Sequence, residues 1–443
     1  MRKYFVILLV SFAGFNYASA QTDIDMVDES QTDIRVNPEI EFAESDYDNG
    51  ITIPSYIKTD SNHIALNGNN WKALRMAASK VSNRPLSIVH IGDSHLQADF
   101  STSHVREMLQ LDLGNAGRGL VAPLKMSGTN QPFDYTFMSS DSWEAAKLMK
   151  SPWGRTMGFT GTSVSPNSRK SELTIATKGE DDYNPFSDIT VFHNGQFFVT
   201  AVYNEDGQPI PFFSIPSKDY TQIMLEGEYT CVTINFDSAG DLTIYGANLS
   251  GHRPGVFYHT IGNNGATFDT YNRIGTVGEG LKPLAPDLVI ISLGTNEAFG
   301  RIDPLAFTTS IDKLLTNIRE SNPNVQFLLV TPMECQRANY KSVTKRVPSK
   351  RRKGKRRTRT VTSRVKNYGI NHNILPLRNA IIEYGKTRGI PVYDWYEVSG
   401  GDNSSGKWLS DDLYGKDRVH LTRKGYRLQG ELLYKALREA LGY

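Results

Sequence analysis

The sequence has almost no cysteine, two residues in 443, which excludes a disulfide scaffold and a Cys-rich zinc module. It has no HExxH or CxxC spacing, so its ligand patterns do not point to a metal site. No Gly-x-Ser-x-Gly elbow is present, which disfavours a conventional α/β-hydrolase. After the first twenty residues, no apolar run approaches the roughly 18 that a membrane-spanning helix needs. Internal repeats are absent, and charge of one sign is scarcely in excess at +2. What remains is 39% hydrophobic and 22% charged, with 37 Gly and 20 Pro. That composition is globular, and it excludes a collagen, a coiled coil and a wholly disordered chain. The length suggests about three domains and a substantial core.

The near-zero charge hides segregation along the chain. Residues 341–366 carry thirteen Lys or Arg and no Asp or Glu, leaving 36 basic against 47 acidic residues elsewhere. Residues 21–50 carry ten acidic residues and one basic one, Arg35. Such blocks are ordinarily solvated and often serve as interaction tails. The basic block is thus expected as a loop that is solvated, clamps an anionic cell-wall or surface polymer, or docks the acidic stretch.

Residues 1–20 have the pattern of a secretory signal peptide: Arg2 and Lys3, an apolar run from Tyr4 to Phe15, then Ala18-Ser19-Ala20. The expectation is an exported chain, periplasmic or secreted, with no transmembrane anchor. Residues 21–60 read as an acidic, flexible lead-in.

From about 61 the pattern becomes α/β. A helix is expected over Trp71–Val81, an apolar strand over Leu86–Ile91, and a second helix from about Gln97 to Leu113. Between 126 and 252 the texture changes to short alternating runs, such as Leu173–Ala176, Ile189–Phe192 and Cys231–Phe236, with Gly, Asn, Asp and Pro breaks. That is the signature of an all-β sandwich. Strands then return at Val256–Ile261, Leu288–Ser292 and Phe327–Val330, with helices near 305–319, 375–388 and 425–440. The organisation is an α/β domain over 61–125 and 253–443, interrupted by a β insertion at 126–252.

Four short motifs follow the predicted strands or open the last helix, where open parallel sheets place their sites. Gly92-Asp93-Ser94-His95 puts Ser94 near a helix N-terminus, where a developing anion is favoured, although Asp93 and Ser94 could equally cap that helix. Gly262-Asn263-Asn264-Gly265 can leave a backbone N–H free for an oxygen, or form a plain turn. Gly294-Thr295-Asn296-Glu297 offers a side-chain amide. Asp417-Arg418-Val419-His420 can form the carboxylate–imidazole pair that prepares a general base, or a surface loop.

Taken together, these four blocks resemble the SGNH (GDSL-type) hydrolase family, over everything except the lead-in and the insertion. The resemblance implies a three-layer α/β/α fold with a parallel sheet and an esterase without cofactor or metal. By it, Ser94 is the nucleophile, His420 the base and Asp417 its orienter; Ser94, Gly265 and Asn296 form the oxyanion hole. Two departures from compact family members, His95 after Gly-Asp-Ser and the long gap between the first and second blocks, are similar to the peptidoglycan O-acetylesterase branch. So are the run Gly92–Asp99 and Trp408 ahead of the last block. That branch implies removal of O-acetyl groups from a glycan, the muramic acid 6-O position of peptidoglycan first. Other polysaccharides, acetyl transfer, or glycan binding without catalysis are the alternatives.

Other patterns carry less. Gly385-Lys386-Thr387 lacks the earlier Gly of a phosphate loop and falls at a helix end. His90, Asp93, His95 and Asp99 lack metal-ligand spacing. Cys231 and Cys335 are expected as buried free thiols. The basic block contains no aromatic on which bases could stack, so nucleic acid is not an expected partner.

Overall fold

A computed structural model describes residues 50–178, 184–352 and 355–443. The expected signal peptide 1–20 and the acidic stretch to residue 49 lie outside the described residues. So do 179–183 and 353–354.

The centre is a six-stranded sheet ordered Ile64–Ala65, Val392–Tyr393, Gln326–Val330, Leu288–Ser292, Leu86–Gly92, Val256–Gly262. Every pairing is parallel except that of the short edge strand Ile64–Ala65. The inner strands read as continuous apolar runs because both faces are covered. Ile88, Ile290 and Leu328 face one core with helices Lys72–Ser79, Phe100–Leu113 and Arg423–Leu441. Val89, Ile91, Val289 and Ile291 face the other, with helices Pro304–Ser321 and Ile374–Arg388. This is the expected three-layer α/β/α arrangement. Leu86–Gly92 is the first of the parallel strands in the chain, yet it lies between Val256–Gly262 and Leu288–Ser292. The sequence order therefore reverses beside it, and such a switch point opens a crevice at the strands' C-terminal ends.

The insertion is an antiparallel sandwich. A seven-stranded sheet faces a four-stranded one over a core of residues such as Val164, Leu173, Val191 and Ile234. Alternation is clean in Lys170–Thr177 and Cys231–Ser238, where every second residue is buried. The insertion's first strand is Gly119–Val121, paired with Thr243–Ser250, ahead of the expected start at 126. Three apolar residues are too few for a periodic signal.

Three further expectations are corrected. Residues 50–60, expected within the flexible lead-in, pack on the α/β core: Ile57 is buried, and Ile51, Ile53 and Tyr56 lie against the same cluster. The basic block is no loop; it is a two-stranded antiparallel ribbon of Gln336–Arg352 and Lys355–Ile370. Cys335 is buried, but Cys231 is only partly so, and both thiols are free. No helix among the described residues is long and apolar enough to cross a membrane.

Insertion and α/β domain share a buried ion cluster. Asp99 accepts from Arg106 Nη2 (2.6 Å) and Arg118 Nη2 (3.0 Å), while Asp134 pairs with Arg118 Nε at 2.9 Å and Arg106 Nη1 at 3.3 Å. The charges cancel, and Arg118 also lies over the Tyr135 ring at 4.9 Å. Buried charges persist only when paired in this way. Asp99 takes a left-handed φ of 61°, which breaks the chain between the short helix Ser94–Gln97 and the long helix Phe100–Leu113.

Candidate active site

The strand Leu86–Gly92 is buried along its whole length and delivers Ser94 to the crevice. Asp93 caps the following turn by accepting the His95 N–H at 3.0 Å. Ser94 is the first residue of that turn, so its N–H has no partner within the helix. The turn sits directly on the neighbouring strand end: a Cβ at Gly262 would lie 2.3 Å from Gln97 N.

Ser94 Oγ lies 2.7 Å from His420 Nε2. His420 Nδ1 lies 2.7 Å from Asp417 Oδ2, while Asp417 Oδ1 accepts the N–H groups of Val419 and His420, each at 3.0 Å. Burial pushes the Asp417 carboxyl up, but its hydrogen bonds and the His420 charge outweigh that and hold it down at about 2. The three residues form one relay: a carboxylate fixing an imidazole against a hydroxyl. The loop carrying the last two is tightly closed. Gly415 N–H donates to His420 O at 2.7 Å, and Arg418 N–H to Gly415 O at 2.9 Å. Buried Trp408 packs edge-on to Tyr414 at the loop's start.

His95 explains what the unusual fourth residue of the first motif does. Its ring packs 5.2 Å from the His420 ring, and its Nδ1 meets Tyr426 Oη at 3.1 Å. Burial, then repulsion from His420, lowers its pKa to about 3. A neutral His95 walls the His420 imidazole without adding a second charge beside it.

Gly265 has φ +79°, and its N–H has no acceptor among the described residues. Asn296 is placed differently from a free donor. Its Nδ2 donates to Asp93 Oδ2 at 3.1 Å and to Ala266 O at 3.0 Å. An oxyanion at Ser94 would have to share one of these hydrogens. Burial raises Asp93 to about 6 and Glu297 to about 7. Glu297 Oε1 accepts the Phe268 N–H, while Oε2 is buried without a partner among the described residues.

Two contributors were not visible in the motifs. Gln97 ties three segments together: Oε1 accepts the Asn264 N–H at 2.6 Å, and Nε2 donates to Thr129 Oγ1 at 2.7 Å and to Asn130 O at 2.9 Å. Met149, also from the insertion, lies where a Gly265 Cβ would touch its Cε at 3.4 Å. The insertion therefore forms part of the rim of the crevice. Long-range contacts of this kind leave no local pattern in a sequence.

The remaining candidates have structural partners. His90 Nδ1 meets Tyr258 Oη at 2.8 Å and its Nε2 meets Ser292 Oγ at 2.6 Å, while burial lowers it to about 3. Asp99 is committed to the two arginines. Gly385–Thr387 is the last turn of helix Ile374–Arg388.

Residues 236–428 match the model of the GDSL-like lipase/acylhydrolase family. The match takes in Gly265, Asn296, Asp417 and His420 but starts inside the insertion, so Ser94 falls outside it. A solved structure of a peptidoglycan O-acetylesterase superposes with TM-score 0.65 at 20% identity, covering 86% of this chain and 98% of the other. A family two carbohydrate esterase from Clostridium thermocellum, in complex with cellohexaose, is similar at TM-score 0.29 and 13% identity, covering 69% and 99%. A GDSL-like lipase from Bacteroides thetaiotaomicron reaches 0.28 at 21%, covering 41% and 76%. No curated protein matches the sequence.

Proposed function

We propose that this chain is an SGNH/GDSL-type hydrolase, an exported serine esterase that removes O-acetyl groups from a glycan, peptidoglycan first among them. The observation that carries the reading is the unbroken relay from Asp417 through His420 to Ser94. Ser94 Oγ attacks the ester carbonyl while His420 Nε2 takes its proton. The tetrahedral oxyanion is held by the N–H groups of Ser94 and Gly265 and by Asn296 Nδ2. Collapse expels the sugar hydroxyl, which takes the proton back from His420. Water, activated by the same imidazole, then releases acetate from the acyl-enzyme.

The substrate class is supported by the fold-level likeness to a peptidoglycan O-acetylesterase over nearly all of that chain. Export is supported by the pattern of residues 1–20. The test is acetate release from O-acetylated peptidoglycan set against acetylated xylan. Faster release from peptidoglycan is expected; a preference for xylan would move the assignment to another polysaccharide. Acetate appearing on an added sugar instead of in solution would make the enzyme a transferase.

A further inference from the structure

Ester chemistry has no use for the ribbon. Gln336–Arg352 and Lys355–Ile370 pair with each other and with no other strand among the described residues. At roughly 3.4 Å per residue the ribbon extends about 55 Å. The sequence 341–366, most of which lies in these two strands, carries thirteen cations and no acid.

A lone two-stranded ribbon is marginal in water, and like charges directly opposite each other weaken it further. Away from its tip, the register avoids that second penalty. Lys341 faces Val365, Lys345 faces Val361, Arg346 faces Thr360, Arg359 faces Val347, and Arg364 faces Ser342. Over 341–347 and 358–366 every cation is opposite an uncharged residue, while at the tip Arg352 faces Lys355. Because side chains alternate, Lys341, Lys345 and Arg359 share one face, while Arg346, Arg364 and Lys366 share the other. Charge therefore covers both sides. The valines of the first face are interleaved with cations, so they form no continuous apolar surface of the kind a bilayer would take up.

The ribbon's root is the catalytic loop. Gln336 N–H donates to Arg418 O at 3.0 Å, and Arg418 Nη1 donates to Gln336 Oε1 at 2.8 Å. The Arg418 guanidinium covers the Tyr368 ring at 4.1 Å. On the other side, Arg337 Nη2 donates to Phe299 O at 2.8 Å, beside the Asn296 turn. The arm thus leaves from between Asn296 and the Asp417–His420 pair.

We propose that this ribbon is a docking arm for a polyanionic polysaccharide, lying along the polymer so that its esters are presented at the root. Cations on two faces suit an extended chain better than a flat membrane. Presentation of esters rests on the esterase reading; polymer binding does not.

Binding is measured by co-sedimentation and calorimetry with the full chain carrying Ser94→Ala, which separates binding from turnover. The probe is polygalacturonate, with neutral dextran and phosphatidylglycerol vesicles alongside. Binding to polygalacturonate and not dextran is expected, weakening about tenfold or more between roughly 50 and 300 mM NaCl. Replacing Lys341, Lys345, Arg346, Arg359 and Arg364 by Gln should weaken it by about tenfold and flatten that salt dependence. Deletion of 343–364 should do the same, with circular dichroism checking the fold of both variants. Undiminished binding by both variants would overturn the proposal. So would binding to vesicles alone, or binding only after removal of residues 21–49, which would make the acidic stretch the arm's occupant.

Discussion

Ser94 Oγ and His420 Nε2 meet at 2.7 Å although 326 positions separate them in the chain. The parallel sheet makes the meeting possible: Ser94 leaves the end of an inner strand, and His420 sits on a closed loop ahead of the last helix. Asp417 completes the line at 2.7 Å from His420 Nδ1.

Asp417→Asn keeps the shape of the loop but replaces the carboxylate that fixes the imidazole tautomer. Turnover of p-nitrophenyl acetate should fall by about 10²–10⁴ with the fold unchanged. A loss below tenfold would make Asp417 a loop-closing residue alone.

Asn296 separates two roles. If it shares its Nδ2 hydrogens with the oxyanion, Asn296→Ala should lower kcat by on the order of 10²–10³ with little change in KM. If it only holds Asp93 Oδ2 and Ala266 O, the loss will appear in thermal stability while kcat is retained.

Arg118 is fully buried between two carboxylates. Arg118→Met fills similar space but leaves Asp99 and Asp134 to Arg106 alone. Denaturant unfolding should show a loss of about 3 kcal/mol or more, because an uncompensated buried charge remains. A neutral result would mean that the carboxylates protonate or reach water.

The Glu297 carboxyl is raised by burial to about 7, so the folded state favours its protonated form. Stability from this group is full below its unfolded value of about 4.5 and declines as pH rises towards 7. Glu297→Gln stays neutral, so the variant should gain on the native chain across that window, by about 1–3 kcal/mol at pH 8. Asp417 works in the opposite sense: its stability is present above pH 4 and lost as pH falls towards 2. Parallel stability curves for Glu297→Gln and the native chain between pH 4 and 8 would contradict the Glu297 assignment.

Much of this was legible before the structure. Leu86–Ile91 and Leu288–Ser292 are buried on both faces, and their apolar runs announce it. Ser94, Gly265 and Asn296 follow successive strands, so their motifs fall at strand ends in chain order. The Asp99–Arg118–Asp134 cluster and the Gln97 tie were not legible, because each joins separate segments through side-chain contacts that leave no periodic pattern. The ribbon's composition points to a loop because charge dominates it. Its alternating Val and Thr residues, Val343, Val347, Thr358, Thr360 and Thr362 among them, were the strand signal.

The central claim is that Ser94 is the nucleophile of an acyl-enzyme prepared by His420. A fluorophosphonate probe followed by peptide mapping tests it most directly. A single adduct on Ser94, abolished by Ser94→Ala and strongly slowed by His420→Ala, is the predicted result. An unlabelled chain, or an adduct on any other residue that survives Ser94→Ala, would contradict it.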